Sequence, residues 1–199
     1  YGPALQETGE RAFGYDIWTK YNTTEPVVEA RYEGELNPDM KAKIAELGKT
    51  DPKAAQELYR SVSYHVDHGN GLDCYKVGPT LGGGTTALMA GDTIIYPYCY
   101  ATQEILDNGP LRFTVKLVYN PLVVKGDSTI IETRIITLDA GSYCNKTVVS
   151  YTNLKETMPL AVGIVLHEPD GAIVADAANG YMTYVDPTDN AGGDNGKIF

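Results

Sequence analysis

The chain has 199 residues, of which 43% are hydrophobic and 21% charged, with a formal net charge of −10. This length and composition predict a folded globular domain and exclude a disordered chain. The negative charge disfavours nucleic-acid binding because it repels phosphate groups, and no apolar run approaches the roughly 20 residues that span a bilayer.

The N-terminal part predicts two strands followed by two helices. Residues Gly14–Lys20 and Val27–Tyr32 are rich in strand-forming side chains. Residues Asp39–Leu47 have their apolar side chains at helical spacing, and Lys53–Arg60 predicts a second short helix. Asp51 is the expected N-cap of that second helix, since Asp-Pro is a common helix start. We therefore predict a short helical insertion near residues 38–60.

The remainder of the chain predicts a mainly β fold. Val, Ile, Thr and Tyr dominate a series of segments that are separated by turn signals such as Asn108-Gly109-Pro110, Lys125-Gly126-Asp127 and Pro169-Asp170-Gly171. The predicted strands are Thr93–Tyr100, Leu111–Tyr119, Ser128–Leu138, Tyr143–Thr152, Ala161–Glu168, Ala172–Ala175 and Tyr181–Val185. Successive strands joined by tight turns predict an antiparallel β-sandwich. We expect one sandwich domain over residues 1–199, truncated at one or both ends.

The segment Tyr64–Gly78 concentrates the ionisable side chains of the sequence among glycines. Histidine titrates near neutral pH, so His65 or His68 is predicted to act as a general base, with Asp67 orienting a histidine. Tyr75 is the predicted acid, and Lys76 is predicted to neutralise a substrate carboxylate. These five residues form the predicted catalytic set.

Two alternatives remain open for the same segment. His65, Asp67 and His68 are metal-ligand types, with His167 as a further ligand if it converges, although strand geometry would point His68 away from the other two. Alternatively, the polar side chains only satisfy a buried turn. No cofactor motif is identified, and the glycine-rich stretch Pro79–Thr86 lacks the Lys-Ser/Thr ending of a phosphate-binding loop.

Substrate contacts are predicted outside and inside that segment. Arg60 and Arg112 can bind a carboxylate through paired hydrogen bonds. Arg134 is a further candidate, with a salt bridge to Glu132 as its structural alternative. Trp18 is a candidate sugar-stacking platform, with an ordinary core tryptophan as the alternative. Asp73 is also predicted to contact the substrate.

Several motifs resemble a domain-of-unknown-function family of exported proteins from polysaccharide-degrading bacteria, often encoded beside or fused to unsaturated glucuronyl hydrolases. The resemblance extends from Tyr1 to about Gly163, and the histidine-containing motif is its most specific part. The motifs are Tyr1–Leu5, Tyr15–Trp18, Tyr64–Gly69, Gly71–Thr80, Asn108–Arg112 and Leu138–Ser142.

This resemblance implies a galactose-mutarotase-like supersandwich and an exported, periplasmic or cell-surface location. It also implies a role in polysaccharide degradation, because a relative is thought to be an oligosaccharide dehydratase. The expected function is acid–base elimination on a uronic-acid oligosaccharide by a carbon–oxygen lyase. Two alternatives stay open, namely a non-catalytic carbohydrate-binding module and a sugar epimerase.

Overall fold

The computed structural model describes residues 11–22, 24, 27–168, 172–187 and 196–198, together with the isolated positions 3, 7 and 9. The described part is mainly antiparallel β-structure, as the sequence predicts, and it has three short helices with described bounds where the sequence predicts two. The chain divides into two compact units. Unit 1 comprises Tyr1–Tyr15 and Val77–Val165, and unit 2 comprises Asp16–Lys76 and Leu166–Phe199.

Three helices have described bounds, and all three lie in unit 2: α1 (Val28–Leu36), α2 (Pro38–Thr50) and α3 (Pro52–Val62). The strand predicted at Val27–Tyr32 is wrong, because this segment starts α1. Its Glu, Ala and Arg residues are good helix formers, and Val28, Tyr32 and Leu36 recur at four-residue spacing. None of the described helices is long and apolar enough to cross a membrane.

Helices α2 and α3 confirm the predicted helical insertion and the predicted Asp51 cap, and the structure adds a cap at Asn37. The Asn37 side chain accepts hydrogen bonds from the backbone N–H groups of Asp39 and Met40. The Asp51 side chain accepts a hydrogen bond from Ala54 N at 3.0 Å, as its predicted N-cap role requires. Each helix has a proline in its first turn, where the missing N–H is not needed.

Replacing Asp51 with alanine is expected to lower the free energy of unfolding by about 1 kcal/mol, because the first turn of α3 loses its side-chain acceptor. Urea unfolding followed by circular dichroism would measure this change. Gln56→Ala, an exposed position within the same helix, serves as the control and is expected to leave the midpoint almost unchanged. Equal effects of the two substitutions would contradict the capping role.

The described strands, in chain order, are β1 (Trp18–Lys20), β2 (Gly71–Asp73), β3 (Thr85–Ala90), β4 (Thr93–Ile95), β5 (Tyr100–Asn108), β6 (Arg112–Tyr119), β7 (Leu122–Val124), β8 (Asp127–Asp139), β9 (Lys146–Thr152), β10 (Leu160–Gly163), β11 (Ile173–Asp176), β12 (Tyr181–Tyr184), β13 (Asp186–Pro187) and β14 (Lys197–Ile198). Strand pairs in unit 2 are β1–β2, β11–β12 and β13–β14, all antiparallel.

Unit 1 contains two antiparallel sheets with apolar side chains between them. One sheet has the order β10–β3–β4, and the other has the order β5–β6–β8–β7, with β9 also paired to β8. Leu88 of β3 packs in one cluster with Leu122 and Val124 of β7 and Ile130 of β8. This layered arrangement is consistent with a β-sandwich.

Several predicted strands are shorter than the sequence indicates. Of Gly14–Lys20, only Trp18–Lys20 forms a strand, and Ala161–Glu168 contributes only to β10. The segment Thr93–Tyr100 is divided, since Pro97 lacks the N–H that a continuous ladder needs. Strand β3 was not predicted, because its first two residues belong to the glycine-rich stretch. The turn predicted at Pro169–Gly171 lies outside the described residues.

Candidate functional site

The strand pair β1–β2 positions the predicted catalytic segment within unit 2. Trp18 of β1 lies opposite Asp73 of β2, so the two side chains share one face of the pair. Gly71 begins β2 with φ at +102°, and a Cβ atom there would lie 1.9 Å from the Thr19 carbonyl oxygen. Only glycine fits this approach, so the loop that precedes β2 is fixed at its end.

Asp67 and His68 hold the shape of that loop. The Asp67 Oδ1 atom accepts hydrogen bonds from Gly69 N at 2.8 Å and Gly71 N at 3.3 Å, and its Oδ2 accepts one from the Tyr21 hydroxyl. The Nε2 atom of His68 lies 2.9 Å from the Ser63 carbonyl oxygen. Both oxygens of Asp67 are therefore occupied, since Oδ1 holds the turn and Oδ2 accepts from Tyr21, which follows β1.

His65 lies beside a buried carboxylate. Its Nδ1 atom is 3.9 Å from Asp73 Oδ2, and the side chains are 22% and 8% exposed. The other oxygen of Asp73 accepts a hydrogen bond from Tyr75 N at 3.4 Å. Asp73 thus lies at ion-pair distance from His65, beyond a direct hydrogen bond, whereas the sequence analysis gave the role of orienting a histidine to Asp67.

Three aromatic rings pack next to His65. The Trp18 ring lies 5.3 Å from that of Tyr64, almost parallel to it, and 5.4 Å from that of Tyr32. The Tyr64 and His65 rings are 4.4 Å apart. Trp18 is half-buried, so it is neither a fully buried core residue nor an isolated surface ring. Trp18, Tyr32 and Tyr64 form an aromatic cluster, of which Tyr32 also lines an open depression of about 520 Å³ together with Glu33, Leu36, Asn37 and Pro38.

Tyr75 and Lys76 are placed with the third histidine, His167. Its Nδ1 atom lies 2.5 Å from Asp186 Oδ2, and its Nε2 atom lies 2.6 Å from the Lys76 carbonyl oxygen. The buried Tyr75 ring meets the His167 ring edge-on at 5.3 Å. The Lys76 side chain itself is exposed. Both nitrogens of His167 are therefore engaged, which suits a clamp between chain segments more than proton transfer to a ligand.

Asp186 and Arg31 are the residues that sequence analysis missed around these groups. Nothing in the local sequence distinguishes Asp186 from the other acids. Arg31 and Tyr32 were assigned to a strand, whereas the four-residue spacing of α1 would have placed them on a helix. Arg31 donates a hydrogen bond to the Asn70 side-chain oxygen, and Glu35, one turn further on, accepts one from Tyr64 N at 2.9 Å.

The candidate arginines differ in their exposure and in their partners. Arg60 is exposed on α3 in unit 2. Arg112 belongs to unit 1, where its guanidinium binds Asp139 through two hydrogen bonds of 2.6 and 3.0 Å. This pairing raises the pKa of Arg112 and lowers that of Asp139. Arg134 forms the salt bridge with Glu132 that was its structural alternative.

Metal-ligand and thiol chemistry can be assessed from the grouping and burial of the side chains that the structure describes. No group of three or more His, Cys, Asp or Glu side chains converges there as metal ligands. No disulfide joins Cys74, Cys99 and Cys144. Burial raises the pKa of Cys74 to about 11, with Asp73 adding to the shift, so its thiolate is disfavoured near neutral pH. The acid–base groups around His65 are therefore the best candidate site.

Comparisons with known proteins add a family match. The family described as "Domain of unknown function (DUF4861)" matches residues 1–199. The chain is also similar to "Uncharacterized protein P7" from Formosa agariphila, with 29% identity over 121 residues, which is 61% of this chain. The match spans 30% of that relative's length. No solved structure matches the chain.

Proposed function

The chain belongs to the DUF4861 domain-of-unknown-function family, and from the geometry of unit 2 we propose that it processes acidic oligosaccharides by acid–base elimination. The observation that carries this proposal is the position of His65, with Nδ1 3.9 Å from the Asp73 carboxylate. An imidazole beside a carboxylate is a common arrangement for a general base.

The proposed reaction removes water from a saturated uronic-acid residue. His65 takes the proton from the carbon next to the carboxylate, and the hydroxyl on the following carbon leaves as water after it is protonated. We assign this second proton to the Tyr64 hydroxyl, because the Tyr64 ring lies 4.4 Å from that of His65. Tyr75, the acid expected from sequence, is 6% exposed and contacts His167.

The aromatic cluster supports a carbohydrate ligand. Aromatic rings present flat apolar faces that pack against a pyranose ring, while tyrosine hydroxyls can hydrogen-bond to sugar hydroxyls. Tyr32 lines the depression formed by α1 and the start of α2, and the Trp18 ring contacts Tyr32. The same cluster favours a second candidate function, a non-catalytic carbohydrate-binding module. The wider proposal of an exported protein in bacterial polysaccharide degradation rests on the family resemblance alone.

The test incubates the protein with saturated uronic-acid oligosaccharides and follows ultraviolet absorbance and mass. We expect a new conjugated double bond together with the loss of one water. Chain cleavage with the same absorbance would indicate a lyase instead, and a new isomer of unchanged mass would indicate an epimerase. Binding without any product would favour the binding module. In that case Trp18→Ala should abolish binding, whereas His65→Gln should leave binding intact.

A further inference from the structure

Unit 2 contains a half-buried guanidinium whose hydrogen-bond partner is neutral. Arg31 of α1 donates through Nη2 to Asn70 Oδ1. Asn70 lies in the loop that also carries His65 and Asp67. Of the residues that the structure describes, none places a carboxylate oxygen within 4.0 Å of the Arg31 guanidinium. The charge of Arg31 is thus oriented by an amide but is not neutralised by it.

Two other arginines show how this chain holds a guanidinium in a structural role. Arg112 is paired with Asp139, and Arg134 is paired with Glu132. Asp139 lies on β8, the strand paired with that of Arg112, and Glu132 lies on the same strand as Arg134. Arg31 differs because its guanidinium, which is oriented by Asn70, has further N–H groups that can donate to another acceptor. A partly desolvated cation without a counter-charge attracts an anion.

Helix α1 directs Arg31 toward the segment that carries the candidate site. Arg31 and Glu35 are four residues apart, so they lie on the same face of the helix. Glu35 accepts a hydrogen bond from Tyr64 N at 2.9 Å, and Arg31 reaches Asn70. These two contacts attach one helix face to both ends of the loop containing His65. Tyr32, the next residue, contributes its ring to the aromatic cluster.

We infer that Arg31 is the receptor for a carboxylate group of the ligand, with Asn70 as the residue that orients its guanidinium. A planar guanidinium binds a carboxylate through two parallel hydrogen bonds, which a lysine cannot reproduce. That the ligand is a sugar follows from the proposed function, on which this part of the inference rests. That the ligand carries a carboxylate is inferred from Arg31 itself. Arg31 thus takes the role of distinguishing acidic from neutral sugars, for which the sequence analysis named Lys76, Arg60 and Arg112.

The test measures binding by isothermal titration calorimetry with two oligosaccharides of the same linkage. One contains uronic acids, and the other is its carboxyl-reduced, neutral counterpart. We expect the protein to bind the acidic form more tightly, and Arg31→Gln to weaken that binding by about 10- to 100-fold, as expected for loss of a hydrogen bond between charged groups. Affinity for the neutral form should not change. Lys53→Gln, an exposed cation on α3, is the matched control.

Arg31→Lys keeps the positive charge and separates the loss of charge from the loss of the planar fork. We expect it to retain part of the preference for the acidic form, with a thermal unfolding midpoint like that of the unsubstituted protein. If Arg31→Gln unfolds, the comparison of Arg31→Lys with the unsubstituted protein decides the question. The inference would be overturned if Arg31→Lys bound the acidic oligosaccharide as tightly as the unsubstituted protein does, with the affinity for the neutral oligosaccharide also the same.

Failure of this inference is distinguishable from failure of the proposed function. Arg31-dependent binding of the acidic oligosaccharide without any product would support the receptor and contradict the elimination reaction. Elimination with an unchanged KM in Arg31→Gln would support the reaction and contradict the receptor. Absence of binding to either oligosaccharide would also contradict the receptor.

Discussion

Replacing Arg134 with methionine is expected to lower the free energy of unfolding by about 3–5 kcal/mol, because it leaves the Glu132 charge buried without a partner. Both side chains are 0% exposed, and Arg134 Nε lies 2.5 Å from Glu132 Oε1. The guanidinium also donates to Thr85 Oγ1 at 2.5 Å and to the Thr86 carbonyl oxygen at 3.1 Å. It therefore ties β8 to β3, strands of the two sheets of unit 1.

Tyrosine rings complete the surroundings of this buried pair. The Arg134 guanidinium carbon lies 4.9 Å from the centre of the Tyr119 ring, and burial raises the pKa of Tyr119 to about 12. Burial likewise raises the pKa of Glu132, although Arg134 opposes that shift. Arg134 thus stabilises the buried Glu132 carboxylate and packs against the Tyr119 ring inside the sandwich.

Urea unfolding of four proteins would test this prediction as a double-mutant cycle. The proteins are the unsubstituted chain, Arg134→Met, Glu132→Leu and the double variant. We expect the double variant to be more stable than either single variant, since no charge then remains unpaired. Arg112→Met is the control, because it removes an arginine from an exposed pair and should barely move the midpoint. Additive effects of the two buried substitutions would show that the pair is not coupled.

Replacing His65 with glutamine is expected to reduce the rate of the proposed elimination by about 10²- to 10⁴-fold, the usual contribution of a general base. Glutamine keeps a polar side chain of similar size but cannot take up the proton. Asp73→Asn should also reduce the rate, because the amide does not stabilise the protonated imidazole. Single-turnover kinetics at saturating oligosaccharide would measure both effects on the chemical step.

His68→Gln is the informative comparison, since the sequence alone gave His65 and His68 equal standing. In the structure His68 is exposed and directed to the Ser63 carbonyl oxygen. We therefore expect His68→Gln to reduce the rate much less than His65→Gln. A larger loss of rate with His68→Gln than with His65→Gln would indicate that His68 is the general base. Unchanged turnover in both variants would contradict catalysis by this segment.

Local patterns in the sequence were sufficient for much of the β-structure and for both capped helices. Strands β6 and β8 have long runs of strand-forming residues bounded by turn signals, and Asp51-Pro52 marks the start of α3. Such patterns depend on neighbours along the chain, so they need no tertiary contact. Helix α1 was missed because Val27, Val28 and Tyr32 also suit a strand, although the four-residue spacing of Val28, Tyr32 and Leu36 indicates a helix.

The sequence by itself determined a mainly antiparallel β protein with a helical insertion, and it identified Tyr64–Gly78 as the segment richest in acid–base side chains. Only the tertiary structure decided the partner of each group. It placed Asp73 rather than Asp67 beside His65, and it joined His167 to Asp186. The physical reason is that hydrogen bonds and charge pairs depend on distances of a few ångströms, whereas separation along the chain does not specify which side chains approach that closely.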